Sequence, residues 1–313
     1  MATGSRRVPS SPWAETGSTL AVDRTASARQ AEGVLRTQSP VRALTTADRD
    51  QALEVCARDT RTNVFVAARI LEDALATSPG ALLGYADGSG LQAICWASAN
   101  LVPVGCDVQA LEAFATKLDR WRRHCSSLFG PADMVLPLWA DLRDTWGRPR
   151  EVRKYQPVMA TAAPPAPGVP CDPEVRRARF GEVDLVLPAA AAMFTEEIGY
   201  PPYWGSRQVY RQSIAALIRA GHTFVRVVDG EVVFKADVGS VALGVAQIQG
   251  VWVAPRWRGQ GLAVPAMAAV VEQVRAEIAE AVTLYVNDFN APARATYARV
   301  GFTEIGSFAT VLL

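Results

Sequence analysis

Apolar residues recur along this chain with two alternating periods. In "TTADRDQALEVCARD", residues 45–59, Thr and Asp precede Ala52, Leu53, Val55 and Cys56 in a helical arrangement. "NVFVAARILEDAL", 63–75, continues that period with Val64, Ala67, Ala68, Leu71 and Leu75. Two apolar runs in "ALLGYADGSGLQAICWASANLVPVG", 81–105, flank Asp87-Gly88-Ser89-Gly90 and predict a hairpin. In "DVQALEAFATKLDRWRRHCSSLFG", 107–130, Leu111, Phe114, Leu118, Trp121 and Cys125 fall at three- and four-residue steps, which predicts one helical stripe. Its basic residues Arg120, Arg122 and Arg123 read as a solvated face, and His124 as a surface or rim residue.

The pattern breaks at "ATAAPPAPGVPCDP", 160–173, where five prolines in fourteen residues rule out a helix or a central strand. The chain therefore divides into a tail at 1–35, an α/β part at 36–159, a stiff linker at 160–173 and a second part at 174–313. Ser, Thr, Ala and Arg dominate the tail with little periodicity, so it reads as mobile. In the second part, "EVRRARFGEVDLVLPAAAAMFTEEIGYPP" predicts a strand, a helix through Ala189–Phe194 and a stop at Pro201-Pro202. "SRQVYRQSIAALIRAG" is an amphipathic helix ending at Gly221. Residues 222–255 read as a strand meander with a strong turn at Asp229-Gly230, a weaker one at Gly239-Ser240, and Val251-Trp252-Val253 at its end. "LAVPAMAAVVEQVRAEIAEA", 262–281, is a helix of about twenty residues with Pro265 in its first turn, where a missing N–H costs little. The class is α/β with a mixed sheet.

Composition narrows the partners. Half of the 313 residues are hydrophobic and the net charge is +1, so no global field recruits nucleic acid or an anionic membrane. No run approaches the roughly 18 apolar residues of a membrane span. Five scattered cysteines, with no CxxC pair, and two histidines make a Cys/His metal site improbable and suit the reduced thiols of a cytoplasmic protein.

The chemistry concentrates at "RWRGQGLA", 256–263, between a strand and a helix. The first turn of a helix leaves about four N–H groups without partners, and with the helix dipole these attract anions. Gly259 and Gly261 bring bare backbone close to a ligand, and Arg256 and Arg258 add charge-assisted donors. The stretch can bind a pyrophosphate, although such turns also occur with no ligand. It is neither a Walker loop, since no Gly-Lys-Ser/Thr follows, nor a Rossmann fingerprint, since the third glycine is missing.

Downstream, "VTLYVNDFNAPARATYARVGF", 282–302, gives a strand, a polar turn and a helix capped by Gly301. With these residues the sequence resembles the GNAT superfamily of acyl-CoA N-acyltransferases. The family's phosphate motif is Arg or Gln, two residues, Gly, one residue, then Gly or Ala; Arg256, Gly259 and Gly261 stand at those places. Its later pattern, Asn, then Tyr seven residues on, then Gly-Phe, is met by Asn290, Tyr297 and Gly301-Phe302. The clear match covers 245–305. The Pro-rich linker, "TEEIGYPP" and the preceding α/β part look like bacterial two-part acetyltransferases with a smaller, degenerate GNAT-like domain in front.

The resemblance implies acetyl-CoA as co-substrate, no metal, and direct attack of a primary amine on the thioester. The cofactor would lie between neighbouring parallel strands around Val251–Val253 and Leu284–Val286. Val251 and Val253 would pair with pantetheine. The backbone of Arg258, Gly259, Gln260, Gly261, Leu262 and Ala263 would hold the pyrophosphate, and Asn290 would bond the pantetheine. Tyr297 is the candidate general acid. Gln247, Gln249 and Tyr285 offer no obvious base; Glu196 and Glu197 are candidates against an ordinary surface role, and a water chain to solvent would also serve. Tyr200, Tyr203 and Trp204 either wall the acceptor pocket or fill core. The acceptor is a small-molecule amine, a protein N-terminus or a lysine. A non-catalytic acyl-CoA sensor or scaffold is the alternative, and a homodimer through the N-terminal part is compatible with both.

Overall fold

The computed structural model describes residues 39–121, 125–203 and 206–313. The tail expected at 1–35, together with Arg122, Arg123, His124 and Trp204, lies outside the described residues. Ser39–Leu313 packs as one compact unit.

Among the described residues twelve strands form one sheet. In chain order they are β1 (Val41–Ala43), β2 (Leu82–Asp87), β3 (Gly90–Ala97), β4 (Asn100–Val104), β5 (Ser127–Pro131), β6 (Glu151–Thr161), β7 (Arg176–Arg177), β8 (Thr223–Val228), β9 (Glu231–Ala242), β10 (Val245–Val253), β11 (Ala281–Tyr285) and β12 (Thr303–Leu312). The helices are α1 (Arg49–Ala57), α2 (Thr60–Leu71), α3 (Ala74–Thr77), α4 (Val108–Leu118), α5 (Ala132–Trp146), α6 (Val183–Ile198), α7 (Arg207–Arg219), α8 (Ala263–Glu277) and α9 (Ala291–Val300).

The spatial order is β1-β2-β3-β4-β5-β12-β6-β11-β10-β9-β8-β7. Read inward from one end it runs β1 to β5, then β12 and β6; from the other it runs β7 to β11, then β6 and β12. The chain is thus an internal repeat, and each half lends the other a strand. β6 from the first half lies between β11 and β12, and β12 from the second lies between β5 and β6. Among the described residues only β4–β5 and β10–β11 are parallel. In each half the helix joining that parallel pair, α4 or α8, closes a βαβ unit.

The exchange fuses the cores. Ala309 and Val311 of β12 pack with α4 and α5 of the first half, while Ala242 and Val245 of the second half pack with α1 and α2. Across the central seam Thr310 Oγ1 donates to Gln156 Oε1 at 2.6 Å, and Gln156 Nε2 donates to Asn287 Oδ1 at 2.9 Å. The linker leaves β6 after Thr161, and Ala166 N bonds Val300 O at 2.8 Å. All five cysteines are free thiols.

Several sequence expectations shift. The meander turns at Leu243-Gly244, not at Gly239-Ser240, which lie inside β9. Gly239 is small there because the Gln249 amide lies 2.3 Å from where its Cβ would be. The stripe from 111 to 125 is not one helix. α4 stops at Leu118, and Ser126 N bonds Ala99 O so that β5 can start beside β4. α8 ends at Glu277 rather than running to 281, because Ala281 must already pair with Val245. The strand expected near 176 is only two residues long.

Because each half is completed by the other's strand, thermal unfolding followed by calorimetry should show a single transition. Phe308, 2% exposed at the centre of β12, should cost about 3–5 kcal/mol when changed to Ala, with both halves melting together. Two separable transitions would contradict the exchange.

Candidate active site

β10 and β11 pair only over Val245–Gln247 and Ala281–Thr283. Beyond that point they part, each following its other neighbour. β11 stays with β6 through Tyr285↔Val158, while β10 bends with β9. The bend is a bulge: Gln249 pairs Asp237 and Trp252 pairs Lys235, so Gly250 and Val251 oppose the single residue Ala236. Gly250 has φ +59°, and a Cβ there would lie 3.1 Å from Asp237 Oδ2, Lys235 Nζ and Met193 Cε.

The gap is a cleft of about 500 Å³. It brings together Val251 of β10, Asn290 and Tyr297 of the β11–α9 segment, and Glu196 and Glu197 of α6. Gln156 from the first half also lines it, as do Asp237, Gly250, Tyr285 and Asn287, none assigned a role from sequence. Val253 and residues 256–263 are not among its lining residues. An isolated glycine inside a strand pattern was the readable sign of the bulge. Lys235, one of three lysines in the chain, sits among apolar strand residues and was the sign of the buried pair beneath it.

Pro255–Trp257 form a single helical turn, and the chain then reverses through Gly259 (φ +73°) and Gly261 (φ +79°) into α8. A side chain at either glycine would meet open space, so what demands glycine is the left-handed backbone. α8 begins without a side-chain cap. Among the described residues, no acceptor lies in good hydrogen-bond geometry to the N–H groups of Gly259, Gln260, Gly261, Leu262, Ala263 or Val264. Arg256 pairs with Glu231, and Gln260 Nε2 donates to Arg256 O at 2.6 Å. Arg258 is tied inward: its Nε donates to Val253 O at 2.9 Å and its Nη2 to Glu196 Oε2 at 2.7 Å.

The equivalent corner of the first half is built differently. Only Gly105, Cys106 and Asp107 join β4 to α4, and the Asp107 carboxylate accepts from Ala110 N at 2.8 Å. A carboxylate of the protein itself thus occupies the helix mouth that the second half leaves free.

Within the cleft, Glu196 is fully engaged, since Trp252 Nε1 donates to its Oε1 at 3.2 Å while Arg258 holds Oε2. Glu197 is free of such a clamp; Arg153 Nη1 lies 3.9 Å away. Loss of solvent raises the Glu197 carboxyl above its usual range and Arg153 partly offsets this. With the side chain still 47% exposed, solvent screens part of the effect. Burial, then the Glu197 charge, pushes the Tyr285 hydroxyl up to about 12. The same two causes raise the buried Tyr297 hydroxyl above the usual tyrosine range, so it carries its proton at neutral pH. Asn290 caps α9 through Oδ1, which accepts from Ala293 N at 3.2 Å, leaving Nδ2 as a donor. Among the described residues no three His, Cys, Asp or Glu side chains converge to hold a metal, and no helix is long and apolar enough to cross a membrane.

The strand order thus leaves one gap, between the parted parallel strands β10 and β11. Residues 190–302 match the model of the acetyltransferase (GNAT) family. Residues 80–186 match a domain of unknown function, DUF4081. No curated protein sequence matches the chain. Solved structures are similar along most of its length. A Drosophila protein has a TM-score of 0.61 at 14% identity, covering 88% of this chain and 99% of its own. A GCN5-related N-acetyltransferase from Sphaerobacter thermophilus has 0.55 at 17%, covering 87% and 94%. A GNAT-family acetyltransferase from Colwellia psychrerythraea has 0.52 at 14%, covering 87% and 99%. These likenesses establish a shared fold across both halves.

Gly259→Asp and Gly261→Asp each add strain and a negative charge at the free donors. By calorimetric titration, each should weaken acetyl-CoA binding at least about a hundredfold. Wild-type affinity in the folded variants would contradict this role for the loop.

Proposed function

We propose that the protein acetylates a primary amine by direct attack of its nitrogen on the acetyl-CoA thioester. The observation that carries this reading is the run of unaccepted N–H groups from Gly259 to Val264 beside the cleft, matched in the other half by a helix mouth filled with Asp107. The diphosphate of the cofactor binds these donors. Its pantetheine arm lies along the bulged backbone at Val251, and Asn290 Nδ2 donates to it. The acetyl group then faces Tyr297 and Glu197, deep between the parted strands. Because Arg258 is drawn to Glu196 and Val253 O, its contribution to the phosphates is charge across the loop.

Two proton transfers accompany the reaction. The amine must be neutral to attack, and one proton must leave it as the C–N bond forms. Glu197 takes this proton and passes it to solvent at the cleft mouth; Glu196, held by Arg258 and Trp252, supports the wall. As the C–S bond breaks, its electron pair goes to sulfur, and Tyr297 supplies the proton. Burial keeps that hydroxyl protonated until charge develops beside it.

Tyr297→Phe should lower kcat by about a hundredfold or more while the KM for acetyl-CoA stays unchanged; an unchanged kcat in a thiol-release assay would remove the acid role. Glu197 must be ionised to accept a proton, so kcat/KM should rise with pH through its raised pKa. In Glu197→Gln that ionisation should vanish from the profile, and its persistence would assign the base elsewhere. Cofactor binding with no turnover on any amine would favour a sensor.

A further inference from the structure

The last turn of α6 is held by the other half of the chain, through contacts that the acetyl-transfer reading leaves unused. Arg153 stands on β6, opposite Thr310 of β12. Its Nε donates to Glu151 Oε1 at 2.9 Å and its Nη2 to Glu151 Oε2 at 3.1 Å, a two-pronged grip that fixes the plane of the guanidinium. Only 10% of the Arg153 side chain is exposed. From this anchor Nη2 also donates to Glu197 O at 2.9 Å, and Nη1 lies 3.9 Å from Glu197 Oε1.

The Glu197 carbonyl is among the last four of α6, which lack partners inside the helix, and it lies at the negative end of the helix dipole. A cation that meets both this carbonyl and the carboxylate of the same residue holds main chain and side chain together. Just before β6, the Arg150 guanidinium lies over the Tyr200 ring at 5.0 Å. The start of β6 thus grips α6 at Glu197 and the chain beyond it at Tyr200. Glu197 lines the cleft and Arg153 does not, so whatever Arg153 does for the reaction it does through Glu197.

The charged and titratable groups about Glu197 come from several elements. From β6 and its start they are Arg153, Glu151 and Arg150. Tyr285 of β11 and Tyr297 of α9 keep their protons at neutral pH. Glu196 of α6 is held by Arg258 and Trp252, and Asp237 of β9 is paired with Lys235. Burial raises the Glu197 carboxyl, and Arg153 is the cation that acts against that rise.

We infer that Arg153 is a positioning residue for acetyl transfer: locked to Glu151, it holds the end of α6 and keeps the Glu197 carboxylate charged and in place to receive the amine proton. The first half thereby serves the chemistry of the second through one arginine. The inference rests on the reading of Glu197 as the base and adds to it the residue that sets that base.

The test follows the Glu197 carboxyl by carbon-13 NMR in the full chain labelled at glutamate, its signal assigned by its loss in Glu197→Gln, beside the pH profile of kcat/KM with n-butylamine as the acceptor. Arg153→Gln should raise the titration midpoint by about half a pH unit or more, so that kcat/KM below it falls about threefold or more. Glu151→Gln removes the opposite charge and should move the midpoint down. In both variants the rising limb of kcat/KM should follow the midpoint while the KM for acetyl-CoA stays unchanged, which a merely structural role would not produce. Should Arg153→Gln not fold, Glu151→Gln, at a half-exposed side chain, carries the same measurement. An unmoved midpoint, shifts of the same sign in both variants, or a limb that does not follow overturns the inference and leaves Glu197 as the base. A limb that persists in Glu197→Gln, or no turnover of the amine, removes the reading beneath it, and this inference with it.

Discussion

A helix that begins without a side-chain cap exposes the positive end of its dipole and several N–H groups at once. In this chain the feature belongs to α8 alone of the two βαβ helices. Gly259 and Gly261, both at positive φ, reverse the chain into α8 just after β10. Everything proposed for the cleft depends on that corner, because it is where the proposal anchors the acyl donor whose thioester would reach Tyr297. α4, with the same place in the repeat, is closed by Asp107. Asp107 thus caps one helix mouth, while the other begins without a side-chain cap.

The halves nevertheless work as one body. β6 and β12 cross into each other's half, and Gln156 of β6 links Thr310 of β12 to Asn287 at the cleft. The first half therefore supplies a wall of the site through a strand, without an anion corner of its own. Arg153, on that same strand, lies beside Glu197 and Glu151. The charge environment of the proposed base is in this way set partly by the first half.

Much of this was legible in the sequence, for local reasons. Glycine spacing, the helix start near 262 and the Asn290–Tyr297 interval are set by backbone geometry within a few residues, whereas the parted strands were expected only from the family resemblance. What the sequence hid was non-local. The partnership of β6 with β11 and β12 joins residues more than a hundred positions apart, and no periodicity announces it. The Gly239-Ser240 turn was misread because glycine there serves a close approach by Gln249 rather than a reversal. Glu196 and Glu197 looked equivalent until Arg258 and Trp252 were seen to hold only one of them. Arg153 carried no motif, since its meaning comes from its contact with Glu197 across the two halves.

The most direct test of the account is a crystal structure of the chain with acetyl-CoA. The account predicts diphosphate oxygens at about 2.7–3.2 Å from main-chain nitrogens between Gly259 and Val264, with the thioester between β10 and β11 facing Tyr297. A cofactor seated elsewhere, or a diphosphate that touches none of these nitrogens, would contradict it.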